Sequence, residues 1–160
     1  IHPHPLDWLH IENSFSFVSG RFAAVLDGSK NIPFIPAPKL VTELRSNFDH
    51  LKGAVHNFYI KLELDNTFTQ RNVFTAYDTE TKTKGYSLLN LGVGADFVNK
   101  KEQALFSLSL SALNITDVAY QNHLSRLKYA AENLATGRTG VFNMGRNFSI
   151  KLNVPLSFTF

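Results

Sequence analysis

The sequence is poor in the residues that build disulfides, metal sites and helices. It has no cysteine, which excludes disulfides and thiolate metal sites and fits many bacterial envelope proteins. It has one methionine and one tryptophan against fourteen phenylalanines, a balance that favours strands over helices. No run of about 18 apolar residues occurs, so a transmembrane helix is excluded. The net charge is only +3 and the basic residues are spread along the chain, so we expect no nucleic-acid partner.

The sequence does contain a long alternating stretch at its C-terminal end. Between Asn147 and Phe160 the apolar residues all share one parity, and they are Phe148, Ile150, Leu152, Val154, Leu156, Phe158 and Phe160. A period of two predicts a β-strand with one apolar face. A strand that crosses a bilayer needs roughly 9 to 11 residues, against about 5 to 6 in a typical soluble strand, so this one is long enough to cross. The last strand of a soluble sandwich would show the same alternation.

Five further segments alternate in a similar way. The six predicted strands cover residues 6–22, 39–48, 58–68, 86–98, 104–114 and 146–160. In the first of them Asn13 interrupts the apolar parity and Trp8 falls on the polar parity. In the other five, no charged residue occupies the apolar parity between the aromatic rings at the strand ends. A cation there would cost about 2 to 4 kcal/mol in the middle of a bilayer.

The connections between these strands alternate between long and short. The long ones cover residues 23–38, 69–85 and 115–144. This order puts every long loop at one end of an antiparallel meander. Transmembrane barrels combine long extracellular loops with short periplasmic turns, whereas a Greek-key sandwich gives no reason for such sorting. The sequence therefore predicts an all-β fold, an antiparallel up-and-down meander of about six long strands that is a segment of a larger transmembrane β-barrel.

Aromatic residues gather at both ends of the predicted strands. The periplasmic ends carry Trp8, Phe48, Phe58, Phe97, Phe106, Phe158 and Phe160. The outer ends carry Phe17, Phe22, Phe68, Tyr86 and Phe148. Rings at both borders of a lipid-facing band are typical of anchoring at the membrane interface.

Six strands are too few to close a barrel around these side chains, because about 8 already leave only enough interior for side chains to fill. The first and last strands would also be bare edges, which hydrocarbon does not tolerate. We therefore expect a curved, right-twisted sheet whose two edges pair with strands outside this chain.

The alternative is a soluble, lipocalin-like β-barrel or sandwich that binds an apolar small ligand. The two folds differ in whether the apolar side of the strands points outward or inward. Leu62, Leu91 and Leu108 point outward to lipid in the membrane fold and inward to a core or ligand in the soluble fold.

Three parts of the chain resemble TonB-dependent outer-membrane receptors. Leu6–Arg21, followed by P-F-I-P-A-P-K-L at Pro33–Leu40, is similar to barrel strands and a loop of that family. Asn114–Lys128, which begins N-I-T-D-V-A-Y, resembles the segment before the last long loop. N-M-G-R-N-F-S-I-K-L-N-V-P-L-S-F, from Asn143, resembles the closing strand.

This resemblance implies energised import across the cell outer membrane of a Gram-negative bacterium. The implied partners are outer-membrane lipid, the remainder of the receptor with its plug and other barrel strands, the TonB complex, the outer-membrane insertion machinery, and a scarce small-molecule ligand such as a metal chelate. No segment of the sequence resembles the plug domain or the TonB box. We therefore expect residues 1–160 to form the C-terminal portion of the barrel.

The last long connection is the best candidate for ligand contacts. Its apolar residues approximate a helical stripe from Tyr120 to Leu134, which suggests a short helix or an ordered lid ending near Gly137. Around it lies a basic and aromatic set suited to anionic ligands: His123, Arg126, Lys128, Tyr129 and Arg138. Packing of the loop itself is the other explanation for the same residues.

No other chemistry has a recognisable pattern. His2 and His4 could chelate a metal, but the sequence offers them no third ligand, so we predict no metal site. Nothing places a nucleophile beside a base, so we predict neither catalytic residues nor a cofactor.

The resemblance also implies that the insertion machinery recognises a terminal strand with aromatic residues. Leu156, Phe158 and Phe160 fit that assembly signal. Deleting Phe160 should therefore lower the amount of protein inserted in vivo while leaving refolding in detergent nearly normal. Insertion is measured by surface labelling and refolding by the yield of folded protein. Equal loss in both assays would mean that the residue is merely structural.

Overall fold

The computed structural model of the protein describes residues 8–50 and 53–155. Within these ranges the chain is all-β, with two short 3₁₀ turns and no α-helix. None of the described segments is a helix long and apolar enough to span a membrane. The predicted positions in 1–7 and 156–160, among them Leu156, Phe158 and Phe160, lie outside the described residues.

Ten strands form one large sheet and two small hairpins. They are β1 (Leu9–Ser16), β2 (Arg21–Leu26), β3 (Ser29–Asn31), β4 (Lys39–His50), β5 (Val55–Thr67), β6 (Tyr86–Val98), β7 (Ala104–Leu113), β8 (Glu132–Asn133), β9 (Arg138–Thr139) and β10 (Asn147–Asn153). The large sheet has the order β1-β4-β5-β6-β7-β10 and is antiparallel throughout. The predicted antiparallel meander is confirmed, and within the described residues the sheet is open, with β1 and β10 as its edges.

The predicted strand over 6–22 is wrong as a single element. β1 ends at Ser16, and β2 leaves the large sheet to pair with β3. The consecutive apolar residues Phe17 and Val18 already break the alternation at this point. The predicted loop over 23–38 therefore contains most of a β-hairpin, whose turn residues Asp27 and Gly28 both have positive φ, as a tight hairpin requires.

The other strand boundaries differ less from the prediction. Residues 86–98 are strand β6 as expected, and 104–114 correspond to β7. The turn between the strands predicted over 39–48 and 58–68 is shorter than predicted, because β4 extends to His50 and β5 begins at Val55. The last predicted strand, 146–160, appears as β10, which ends at Asn153. We call the end of the sheet with the long connections the loop end and the opposite end the turn end.

The register lines up the apolar residues of the six strands on one face. One row across the sheet consists of Ile11, Leu44, Leu62, Leu91, Ala112 and Phe148. A neighbouring row contains Ile60, Val93, Leu110 and Ile150. We call this side of the sheet the apolar face.

The apolar face is not covered by any described part of the chain. The side chains of Leu62 and Leu91 are 36% and 40% exposed, Ile150 is 75% exposed, and Leu108 is half-buried. The buried apolar residues of the described chain lie elsewhere and are Val73, Phe74, Ala76, Leu88 and Val98. The face that a soluble barrel would fold inward is therefore open in this chain.

The opposite side, the polar face, carries a network of paired charges and amides. Lys61 Nζ donates to Glu43 Oε2 over 3.1 Å and to Glu63 Oε2 over 3.0 Å. Asn90 Nδ2 donates to Glu63 Oε1 over 2.8 Å, and Asn90 Oδ1 accepts the Asn114 N–H over 2.8 Å. The network joins β4, β5 and β6 to Asn114 at the end of β7, and Asn90 and Asn114 within it are buried.

Aromatic rings pack across the strands at the turn end. Trp8 stacks on Phe48 with 6.1 Å between centroids, and Phe48 lies 5.9 Å from Phe58. Phe97 and Phe106 stack at 4.6 Å. Trp8, which the sequence put on the polar parity, contacts this row because it precedes β1 and the alternation does not apply to it.

Two rings predicted at the outer lipid border pack elsewhere. Phe22 lies in the β2–β3 hairpin, with its ring edge-on to Phe74 at 5.9 Å. Tyr86 shares the parity of the polar face and packs on Tyr120 at 4.3 Å. Both therefore belong to the packing of the loop end.

A glycine on the polar face makes room for a tyrosine of the next strand. A Cβ atom added at Gly94 would lie 2.6 Å from Cε1 of Tyr59. The same ring carries the Arg45 guanidinium on it, 4.1 Å from the centroid. Gly94, Tyr59 and Arg45 thus form a stack across β6, β5 and β4 in which the ring replaces the missing side chain.

We predict that Gly94→Ala destabilises the fold by about 1 to 3 kcal/mol, because the new methyl group forces the Tyr59 ring out of the stack. Gly92→Ala is the matched control on the same strand and face, since its nearest neighbour would be 3.6 Å away, an ordinary contact. Urea unfolding measures both variants. Equal stabilities of the two variants, or no recovery when Tyr59→Ala is added to Gly94→Ala, would contradict the proposed clash.

Candidate functional site

The three long connections meet at the loop end around one buried carboxylate. Glu80, in the second connection, is buried. Its Oε1 accepts the Phe34 N–H from the first connection over 2.7 Å, and its Oε2 accepts the Phe74 N–H over 2.9 Å. A buried carboxylate is stable only when such donors compensate its lost hydration. Glu80 therefore fixes the first two connections to each other.

The third connection joins through His123 and Lys128, both buried. Lys128 Nζ donates to Thr83 Oγ1 over 2.8 Å and to the Thr81 carbonyl over 3.0 Å. The Thr83 hydroxyl lies 2.8 Å from His123 Nδ1. We call Glu80, Thr81, Thr83, His123 and Lys128 the loop cluster.

The nearby ammonium group favours one tautomer of the imidazole. Lys128 Nζ can only donate and lies 3.5 Å from His123 Nδ1, which favours an unprotonated Nδ1 that accepts from the Thr83 hydroxyl. The ring proton then resides on Nε2, which lies 3.6 Å from Glu80 Oε1. Within the described residues Nε2 is buried and has no hydrogen-bond partner at shorter range.

The same surroundings oppose a positive charge on His123. Burial, followed by the charge of Lys128, lowers the pKa of His123 below its ordinary value, while Glu80 acts in the opposite direction. A second proton would also place an N–H of Nδ1 toward Lys128 Nζ, only 3.5 Å away. The loop cluster is thus built for neutral histidine.

The structure brings four of the five predicted ligand-loop residues together. Besides His123 and Lys128, Tyr129 accepts the Thr81 N–H on its hydroxyl over 3.1 Å, and Arg126 lies over the Phe34 ring at 5.0 Å. Arg138 lies apart from them, in β9, with its guanidinium 5.2 Å from the Phe142 ring. In these positions the four residues link the third connection to the other two.

The third connection is ordered but is not the predicted helix. It contains a 3₁₀ turn at Arg126–Tyr129 and the β8–β9 hairpin. Leu134, which completed the helical stripe in the sequence, is 95% exposed in the hairpin turn. Asn133 sets this turn, because its Oδ1 accepts the N–H groups of Ala135 and Thr136. These hydrogen bonds stabilise a hairpin turn where the apolar spacing suggested a helix.

The sequence did not predict Glu80 or Thr83 as residues of the site. Both lie in a polar run, D-T-E-T-K-T-K, that looks like a solvated loop. Their roles depend on Phe34 and His123, which lie about 40 or more positions away in the chain. No local pattern in the sequence marks them.

A cleft of about 560 Å³ lies beside the loop cluster, between the second and third connections. Its walls include Lys82, Lys84, Lys128 and the packed rings of Tyr86 and Tyr120, and no carboxylate of the described residues lines it. Such walls suit a ligand with a flat surface and negative charge.

The described residues contain no group of three His, Cys, Asp or Glu side chains that could hold a metal ion. His2 and His4 lie outside the described ranges. No protein family, curated protein or solved structure matches this chain.

We predict that acid loosens the third connection. The free imidazole binds a proton near pH 6.5, whereas the folded His123 has a lowered pKa, so the unfolded connection takes up the proton first. The contact is therefore fully stable above about pH 6.5 and loses stability below it, by at most about 1.4 kcal/mol per pH unit, until the folded histidine also titrates. Hydrogen exchange of residues 119–131 between pH 8 and pH 5 measures this.

His123→Gln should abolish this dependence on pH, because the amide does not titrate. His10→Gln, which removes a histidine from β1, is the control and should retain it. An unchanged pH dependence in His123→Gln would show that another group is responsible.

Proposed function

We propose that the chain is the C-terminal barrel segment of a TonB-dependent outer-membrane receptor, part of an energised importer of a scarce ligand such as a metal chelate. One observation carries the proposal: the apolar face runs in register across six strands and is exposed, while the buried charges and amides lie on the polar face and at the loop end.

This distribution is the reverse of that in a water-soluble fold. Contiguous exposed apolar patches beyond a few hundred Å² are rare on soluble monomers. Covering apolar surface is favourable by about 25 cal/mol per Å², so a face of aliphatic residues of this extent favours an apolar environment. Lipid supplies that environment for the outer face of a barrel, and the polar face then lines the interior.

The edges of the sheet fit the same proposal. Hydrocarbon contains no water to satisfy strand edges, so each edge in a membrane needs a neighbouring strand. We infer that β1 and β10 pair with strands outside this chain, in the remainder of the receptor or in a second copy. The plug, the TonB complex and the insertion machinery are further proposed partners.

The proposal also gives the loop end a role. All long connections lie there, which corresponds to the extracellular side of such a barrel. The cleft beside Lys82, Lys84, Tyr86, Tyr120 and Lys128 is the candidate contact for the imported ligand. The loop cluster keeps the walls of this cleft in place.

Extraction and gel migration test the membrane assignment. We expect the barrel that this chain closes with its neighbouring strands to require detergent and to migrate differently on a gel before and after boiling, because a closed barrel resists unfolding by detergent at room temperature. A monodisperse protein in detergent-free buffer, with migration unchanged by boiling, would instead support the soluble lipocalin-like alternative.

Neighbouring residues of β7 provide a matched pair for a second test. Leu110 lies on the apolar face, in the row that contains Ile60 of β5, Val93 of β6 and Ile150 of β10. Ser111 lies on the polar face. In lipid vesicles Leu110→Arg should destabilise the protein by about 2 to 4 kcal/mol, because it places a cation in hydrocarbon. Ser111→Arg should cost about 1 kcal/mol or less, chiefly through its hydrogen bond to Ser149. Equal costs measured by urea unfolding in vesicles would contradict a lipid-facing Leu110.

A further inference from the structure

A second cleft lies at the loop end, on the side of the sheet edge formed by β1. Its volume is about 230 Å³, and it is formed where β1 and β5 end and β4 begins. The lining comes from residues 17–21, from Asn31, Ile35 and Pro38, and from residues 69–72. A water molecule occupies about 30 Å³, so the cleft has room for a phosphate group with several waters.

The walls of this cleft are fixed before any ligand binds. The buried Gln70 donates from Nε2 to the carbonyls of Ile35 and Pro36 over 3.0 and 3.1 Å, and its Oε1 accepts the Asn72 N–H over 3.1 Å. Asn31 Nδ2 donates to the Val73 carbonyl over 3.0 Å. These bonds join the first connection to the second, so the cleft is preorganised.

The cleft carries two positive charges without compensation. Arg21 and Arg71 both line it, and both are exposed. Within residues 8–50 and 53–155 neither forms an ion pair or a contact with an aromatic ring. No Asp or Glu from the described part of the chain lines the cleft. Two arginine forks beside one cavity suit an anion with several oxygens, and the planar guanidinium binds phosphate in bidentate fashion.

Apolar side chains flank this cationic cleft. Phe17 is 61% exposed and Val18 and Phe68 are also exposed, just beyond the ends of β1 and β5. Phe17 continues the apolar parity of β1, and Phe68 that of β5. An occupant of the cleft would therefore have its phosphate next to the border of the apolar face. Phosphorylated lipid headgroups combine these two properties at a membrane interface.

We propose that Arg21 and Arg71 form a binding site for the phosphate monoester of a lipid headgroup. The lipid source rests on the proposed membrane location, whereas the phosphate chemistry of the cleft does not. A bound headgroup would neutralise the arginine pair and hold the first connection against the membrane surface.

The test uses the detergent-solubilised protein and two anionic lipids. Phosphatidic acid presents a phosphate monoester, whereas phosphatidylglycerol presents only a diester. Native mass spectrometry or a titration with labelled lipid gives the two affinities. We expect phosphatidic acid to bind about tenfold more tightly or better, since each additional charge-assisted hydrogen bond contributes about that factor.

Paired substitutions separate the site from general surface charge. Arg21→Gln with Arg71→Gln should weaken binding of phosphatidic acid about tenfold or more. Lys100→Gln with Lys101→Gln removes the same charge from the short turn between β6 and β7 and should change it less than about twofold. Equal affinities for the two lipids, or equal effects of the two variant pairs, would overturn the proposal.

Glycerol phosphate, a soluble monoester, distinguishes the source of the phosphate. Binding as tight as that of phosphatidic acid, and lost with the arginine pair, would overturn the lipid assignment in favour of a soluble phosphate ligand. If the protein proved soluble without detergent, the membrane location would fail. The glycerol phosphate measurement would still decide whether the arginine cleft binds phosphate.

Discussion

The large sheet is held together by antiparallel strand pairing, and the two sets of side chains on its faces separate only when the strands pair in the correct register. Side chains alternate between faces with a period of two, so pairs such as Leu62 with Leu91 align only in one register. A slip by one residue on β5 would move Lys61 and Glu63 to the apolar face. The charge network on one face and the aliphatic rows on the other therefore specify the same register.

The loop end depends on polar rather than apolar contacts. The carboxylate of Glu80 receives two backbone N–H groups, and Lys128 reaches Thr81 and Thr83 from the third connection. Each buried polar group left without a partner costs about 1 to 3 kcal/mol, and of the buried side-chain atoms in the described loop cluster only His123 Nε2, 3.6 Å from Glu80 Oε1, lacks a hydrogen bond. The three long connections are consequently ordered together. Members of the loop cluster line the larger cleft, whereas residues of the first two connections line the smaller one.

The two clefts differ in the side chains that line them. The larger cleft has lysines and a pair of tyrosines, and one of its lysines, Lys128, also holds the loops together. The smaller cleft has Arg21 and Arg71, whose charges are uncompensated within the described chain, and it lies beside exposed apolar side chains. The first location suits a ligand that approaches from water, and the second suits a ligand held at the border of the apolar face.

The all-β class, the antiparallel order of the six long strands and the face of most of their side chains could be predicted from the sequence alone. These follow from a period of two and from the lengths of the connections, both of which are local properties. Predictions from these local patterns were wrong where the structure depends on strand pairing or on hydrogen bonds within a turn. β2 leaves the large sheet to pair with β3, and Asn133 sets a hairpin in place of the helix that the apolar spacing suggested. That Glu80 and His123, far apart in the chain, share one buried cluster is visible only in the folded protein, because burial and charge compensation arise from contacts between connections that no stretch of sequence encodes alone.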